Sequence, residues 1–191
     1  MIQGKRLLLA SASPRRRELL SSLDSNVEIV KLKEVDESYP ASLPALEVAH
    51  YVACIKRDAY NTSQLADNEI LVTADTVVVL DGKVLGKPHS TAEAYSMLRD
   101  MSGKTHTVVT GVTLSSNTKT VSFATTTEVT FDNLTDDQIN YYIDKYAPMD
   151  KAGAYGIQEW IGYIGIKGIN GCYYNVMGLP LHDLYQHLLQ F

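Results

Sequence analysis

Three consecutive arginines, Arg15, Arg16 and Arg17, follow Ser11, Ser13 and Pro14 near the start of the chain. The pattern reads as a helix start, with Ser13 as N-cap and Pro14 in the first helical position. A helix N-terminus carries partial positive charge and disfavours cations, so arginines crowded into its first turn imply a bound anion. A phosphate there would meet backbone N–H donors, the Ser11 and Ser13 hydroxyls and the Arg15 and Arg16 guanidinium forks together. A solvated basic patch is the plainer alternative. The apolar run Leu7-Leu8-Leu9-Ala10 and the Ser-x-Ser-Pro cap tilt the reading towards the anion site.

A second chemistry centres on Asp75, which lies inside the β-branched run from 70 to 80. An ionised carboxylate in a buried strand is costly to desolvate and needs a cationic neighbour. Such a residue can simply cap a helix or pair with a core arginine. Followed by Thr76, and with Lys56 and Lys87 in need of anionic company, Asp75 is better explained as a metal ligand or general base. Taken alone, each lysine and the Asp36-Glu37 pair read as solvated surface, although Gly86 and Pro88 restrict the backbone around Lys87. The loop Gly153-Ala154-Tyr155-Gly156-Ile157-Gln158 lacks the G-x-G-x-x-G spacing and follows a helix, so it is no dinucleotide fingerprint. Asp150, Lys151 and Gln158 are suited instead to lining a base pocket, where an amide both donates and accepts towards a pyrimidine edge.

These residues must be positioned by a mixture of strands and helices. A first helix is expected over 14–24 and a short strand over 27–32, followed by a polar loop through 40. Residues 44–61 have helical periodicity, with Lys56 on a narrow face beside Ala49 and Ala53. Residues 70–80 predict a central strand, returned through the Asp81-Gly82 hairpin signal to 83–85. Ser90-Thr91-Ala92-Glu93 and Thr135-Asp136-Asp137-Gln138 are capping boxes that open two more helices. Alternation predicts strands over 105–114 and 119–131, and two further strands over 160–167 and 172–177. A last helix from Pro180 is expected to bury Leu184, Leu188 and Leu189. Hairpins and strand-to-helix crossovers together predict one α/β domain on a mixed sheet flanked by helices.

Composition narrows the function classes. With 191 residues and 45% hydrophobic content, the chain suits one domain with a substantial core. A net charge of -5 argues against affinity for polymeric nucleic acid, which needs many cations to displace counterions. Cys54 and Cys172 are too few for a disulfide framework or a zinc site. The five histidines, at 50, 89, 106, 182 and 187, form no i, i+4 metal pair and no H-E-x-x-H. Walker A and G-x-S-x-G sequences are absent, which removes support for P-loop phosphotransfer and serine hydrolysis. No apolar run reaches a membrane span and no signal-like segment opens the chain, so a soluble, cytoplasmic protein is expected.

The stretch Ala10-Ser11-Ala12-Ser13-Pro14-Arg15-Arg16 closely resembles the N-terminal signature of the Maf-like nucleoside triphosphate pyrophosphatases. The resemblance continues through Ala74-Asp75-Thr76, Gly86-Lys87-Pro88 and Asp150-Lys151-Ala152-Gly153-Ala154-Tyr155-Gly156-Ile157-Gln158, in the family's order and at about its spacing. It implies a single two-lobed Maf/ITPase-like domain over residues 1–191, with a nucleotide cleft between the lobes. It further implies hydrolysis of a nucleoside triphosphate between its α and β phosphates, with Asp75 as the proton acceptor that activates water. By the same resemblance Glu37 stands with Asp75 at a divalent Mg²⁺ or Mn²⁺, and Lys56 and Lys87 join Ser11, Ser13, Arg15 and Arg16 on the phosphates. Arg15, Thr76 and Gln158 match positions tied to substrate choice, and the Gly-Ala-Tyr-Gly-Ile-Gln form resembles the subgroup acting on dTTP and UTP. Glu159-Trp160 replaces the glycine of many relatives and alters the expected pocket rim. The family's alternatives are 7-methyl-GTP or non-canonical purine triphosphates as substrates, and a non-catalytic regulator of septum formation and cell division arrest. Relatives are often homodimers, a state open to this chain too, although its sequence does not fix the oligomeric state.

Overall fold

The computed structural model describes Ile2 and residues 4–191. Strand β1 (Arg6–Leu9) is buried from Leu7 onward and leads through Ala10 and Ser11 into helix α1 (Pro14–Ser21). Then follow β2 (Asn26–Ile29), a 3-10 turn over Ala45–Glu47, α2 (Val48–Asp58), β3 (Glu69–Leu80) and β4 (Lys83–Leu85). Next come α3 (Thr91–Met101), β5 (Thr105–Ser115), β6 (Thr120–Phe131) and α4 (Asp136–Tyr146). The chain ends with α5 (Trp160–Gly165), β7 (Ile166–Asn170), α6 (Tyr173–Met177) and α7 (Leu181–Leu188).

The strands form one sheet in the order β2-β1-β3-β5-β6-β7, with β4 paired to β3. Strand β1 runs parallel to β2 and β3, whereas the β3–β4 and β6–β7 pairs are antiparallel, so the sheet is mixed as the sequence predicts. Asp81 and Gly82 both take positive φ, the conformation that lets a two-residue turn follow the twist of β3 and β4. The helix starts follow their caps. Ser13 Oγ accepts from the Arg16 N–H, and Thr135 and Gln138 exchange both bonds of a capping box. Among the described residues, no helix is long and apolar enough to cross a membrane.

Contacts divide the chain into two compact units. The first holds the chain up to Asp75 together with Thr110–Thr125 and Gly178–Phe191. Within it α2 buries Val48, Ala49, Val52 and Ala53, and Thr73 Oγ1 of β3 donates to the Ala53 carbonyl at 2.8 Å. Gly111 of β5 lies so close to α2 that an added Cβ would meet the Ala49 carbonyl oxygen at 2.3 Å. Only a residue without a side chain lets the helix backbone approach this far. That approach sets the depth at which α2 carries Lys56.

The second unit holds Thr76–Val109 and Thr126–Met177. Its core packs Val78, Leu98, Met101, Phe131, Ile139, Tyr142, Tyr155 and Ile161 among other apolar side chains. Here the structure corrects the sequence reading. The strands expected over 160–167 and 172–177 are replaced by α5 and α6, which flank β7, the strand that pairs with the free edge of β6. The buried members of α5 are Ile161 and Gly165, four residues apart and therefore on one helical face. Gly162 allows the turn, because a Cβ there would sit 1.9 Å from the Ile157 carbonyl oxygen. In α6 the amide of buried Asn175 donates to the Val108 carbonyl and to Thr127 Oγ1, which anchors that segment by side chain and not by a strand ladder. Helices α1 and α2 and strand β2 are also shorter than predicted, and Leu189, past the last turn of α7, is exposed.

His106 is buried between Phe131 and Tyr155, edge-on to both rings, with Nε2 hydrogen-bonded to the Tyr155 hydroxyl at 2.7 Å. Its Nδ1 has no hydrogen-bond partner. Burial pushes the imidazole pKa down to about 4, so the native protein keeps it neutral. The unfolded chain takes up this proton near pH 6.5 while the folded chain does not, so stability falls as pH drops from about 6.5 towards 4. The loss is on the order of 3 kcal/mol, at about 1.4 kcal/mol per pKa unit. In denaturant titrations across that window, His106→Gln is expected to flatten the pH slope of unfolding; an unchanged slope would contradict a neutral buried His106.

Candidate active site

In the first unit, the turn between β1 and α1 is knit by its serines. Ser13 N–H donates to Ser11 Oγ at 3.2 Å, and Ser13 Oγ accepts from Arg16 N–H at 3.4 Å. The Arg16 side chain turns back along this turn and grips backbone. Its Nη1 donates to the Ala74 carbonyl at 2.9 Å and lies 3.5 Å from Ser11 Oγ, and its Nε donates to the Gly178 carbonyl at 2.9 Å. Burial lowers the pKa of this guanidinium and the Asp75 carboxylate opposes that, followed by a lowering from Arg15 and a raising from Glu37. The group stays charged, since arginine does not deprotonate in proteins. Arg15 is half-buried in the first turn of α1, and Arg17 is exposed.

One residue beyond the carbonyl that Arg16 holds, Asp75 is half-buried between the two buried stretches of β3. Lys56 Nζ, from the last turn of α2, reaches Asp75 Oδ1 at 2.8 Å and Glu37 Oε2 at 3.1 Å. Lys56 is therefore the cation that the buried carboxylate required. The Asp75 and Lys56 side chains are 17% and 20% exposed, so this pair is much better shielded than a surface bridge. Glu37 comes from the polar loop after β2, where its neighbour Asp36 is already engaged. Asp36 accepts from the Ser38 N–H at 2.9 Å, and those bonds from Ser38 hold its carboxyl below the usual range. The loop thus spends Asp36 on its own turn and presents Glu37 to Lys56.

Two carboxylate oxygens converging on one ammonium form a hard, all-oxygen donor pair. That chemistry suits Mg²⁺ or Mn²⁺, which take one or two carboxylates and complete their shell with water and phosphate oxygens. Among the described residues there is no cluster of three or more His, Cys, Asp or Glu able to hold a metal without such a ligand.

The remaining predicted residues belong to the second unit. Thr76 is half-buried on β3, and Lys87 is exposed in the segment after β4, where the Gly86 carbonyl accepts from Gly153 N–H at 3.0 Å. Gln158 is half-buried in a turn closed by the Glu159 N–H to Gly156 carbonyl bond at 3.0 Å, and its carbonyl accepts from the Tyr163 hydroxyl. Lys151 is buried, pairing with Asp150 at 2.8 Å and Glu159 at 3.1 Å. Tyr142 donates to Glu159 and accepts from the Gly156 N–H.

Sequence reading missed the Tyr142 hydroxyl and the Gly178 carbonyl as parts of this framework. A carbonyl acceptor leaves no trace in residue type. Tyr142 counts as core by its helical spacing, yet a buried tyrosine hydroxyl seeks a partner, and the opposite charges of Lys151 and Glu159 at the two ends of a glycine-rich loop supply one.

Comparison with known proteins identifies the family. The model of the family described as Maf-like protein matches residues 6–191. A dTTP/UTP pyrophosphatase of Bacteroides thetaiotaomicron is 53% identical over 95% of this chain and 94% of its own. The dTTP/UTP pyrophosphatase of Parabacteroides distasonis is 51% identical over 97% and 96% of the two chains, and that of Phocaeicola vulgatus 53% over 98% and 96%. With the serine-arginine turn, Asp75 and the 150–158 loop all within the matched span, the chain belongs to the Maf-like protein family.

Proposed function

We propose that this protein is a nucleoside triphosphate pyrophosphatase acting on dTTP, UTP and modified pyrimidine relatives. It releases the monophosphate and pyrophosphate and so removes unwanted nucleotides from the pool. The observation that carries the reading is the double ion pair of Lys56 with Asp75 and Glu37, beside the arginine-rich start of α1. The names of relatives at about half identity support the substrate.

In this reading the Asp75 carboxylate accepts the proton of the attacking water. Ser11, Ser13, Arg15, Arg16, Lys56 and Lys87 hold the phosphates and offset the charge that builds on them as the α–β bond breaks. Asp75 and Glu37 would hold the divalent cation. When bound, that ion supplies Lewis-acid polarisation and charge neutralisation at the phosphoryl oxygens. Lys56, which pairs with both carboxylates, would also offer its ammonium to a phosphate oxygen. Gln158 reads the base edge through its amide, with Arg15 and Thr76 shaping substrate choice. A site that only recognises triphosphate gains nothing from carboxylates beside it unless metal or proton transfer is required, which favours turnover over a purely regulatory role in septum formation.

Pyrophosphate release from a panel of pyrimidine, methylated purine and deaminated purine triphosphates checks the proposal. Turnover should be highest with dTTP and UTP, and Asp75→Asn should lower kcat by about 10²–10⁴-fold, the usual worth of a general base. Preference for 7-methyl-GTP or a deaminated purine would overturn the pyrimidine assignment, and nucleotide binding without turnover would favour the regulator. Metal dependence is separately testable. Chelation should abolish activity, Mg²⁺ or Mn²⁺ should restore it, and Glu37→Gln should raise the metal concentration needed by about 10–100-fold; activity indifferent to chelation would contradict the assigned carboxylate pair.

A further inference from the structure

A buried ion pair is usually no more stabilising than an apolar replacement, so the charged group around Tyr142 calls for a reason beyond stability. Lys151 is buried with a side chain 10% exposed, yet it faces both Asp150 and Glu159. The Tyr142 hydroxyl donates to Glu159 Oε2 and at the same time accepts from the Gly156 N–H at 3.0 Å. Gly156 and Glu159 are the two ends of one turn, closed by the Glu159 N–H to Gly156 carbonyl bond. Gln158 lies inside that turn. A single hydroxyl therefore ties both ends of the segment that carries Gln158, while Lys151 holds Glu159 from the other side. The Glu159 and Lys151 side chains lie against this turn, since a Cβ at Gly156 would be 2.9 Å from Glu159 Cδ and 3.1 Å from Lys151 Cε. Burial and Glu159 both raise the Tyr142 pKa, so the hydroxyl keeps its proton and remains a donor.

We propose that Tyr142, together with Glu159, is the positioning residue for nucleobase recognition: its hydroxyl fixes the turn that presents Gln158, and base discrimination depends on it. Tyr142 does not touch the reacting atoms, so its loss leaves the phosphate chemistry intact and weakens base binding. The inference rests on the pyrimidine triphosphate pyrophosphatase reading given above.

The test compares native protein with Tyr142→Phe, Glu159→Ala and Glu159→Gln, measuring kcat and KM for dTTP, UTP and a purine triphosphate, equilibrium binding of dTTP, and thermal melting. Tyr142→Phe keeps the ring in the core and removes only the hydroxyl. The expected result is a KM for dTTP and UTP raised about tenfold, with kcat within about twofold and a reduced preference over the purine, the pattern of lost ground-state binding. Glu159→Gln retains an acceptor for Tyr142 and should recover part of the loss seen in Glu159→Ala. Unchanged KM, binding and preference in Tyr142→Phe would overturn the inference. So would a fall in kcat equal to the fall in kcat/KM. If Tyr142→Phe melts far below native protein, Glu159→Gln and Glu159→Ala decide by whether their dTTP binding and base preference change while they remain folded. Native turnover of pyrimidine triphosphates tests the parent reading; the ratio of variant to native values tests this one.

Discussion

A carboxylate in the middle of a largely buried strand cannot stay ionised without a cation, and Asp75 meets that need through Lys56. Much of the first unit serves that contact. The approach of α2 to Gly111, and the bond from Thr73 to the Ala53 carbonyl, set the helix against the sheet so that Lys56 ends at Asp75. Removing one partner of a well-buried pair typically costs about 3–5 kcal/mol, against about 0–1 for an exposed one. With about a fifth of each side chain exposed, this pair lies between the two. Glu37, over half exposed, adds little by itself to stability. Its value is chemical, because it gives Lys56 a second carboxylate and, in the proposed reaction, would stand with Asp75 at the divalent cation.

Arg16 holds the backbone next to Asp75. Its contacts with the Ala74 and Gly178 carbonyls join the serine turn, the middle of β3 and the start of the last segment within one unit. A guanidinium can do this because its donors fan out in a fixed plane, whereas a lysine would offer only a point charge. The arginines of the first turn are thus not equivalent. Arg16 braces the strand backbone next to Asp75, Arg15 is half-buried beside it, and Arg17 faces solvent. Charges disfavoured at a helix N-terminus are retained where carboxylates and backbone carbonyls already compensate them.

The sequence made much of this legible because the strongest signals were local. The Ser13-Pro14 cap, the Thr135 capping box and the Asp81-Gly82 turn each fix backbone within a few residues and appear where expected, whereas at Ser90 the N-cap forms but Glu93 accepts from the His89 N–H and does not close the box. The need of Asp75 for a cation was legible too, from the apolar run around it. The failures are tertiary. Residues 160–177 are rich in glycine and isoleucine, and their helices depend on the close approach at Gly162 and on the Asn175 amide reaching Val108 and Thr127. Neither contact has a periodicity to read. The grip of Arg16 on two carbonyls and the double role of the Tyr142 hydroxyl were invisible for the same reason, since their partners are backbone groups or residues distant in the chain.

The central claim is that water, activated at Asp75, attacks the α-phosphorus of a nucleoside triphosphate. Running the reaction in ¹⁸O-enriched water and weighing both products by mass spectrometry tests it most directly. One ¹⁸O atom in the nucleoside monophosphate, and none in the pyrophosphate, is the expected result. Label in the pyrophosphate would place the attack on the β-phosphorus, and label in free phosphate with release of the diphosphate would place it on the γ-phosphorus; either would contradict the claim.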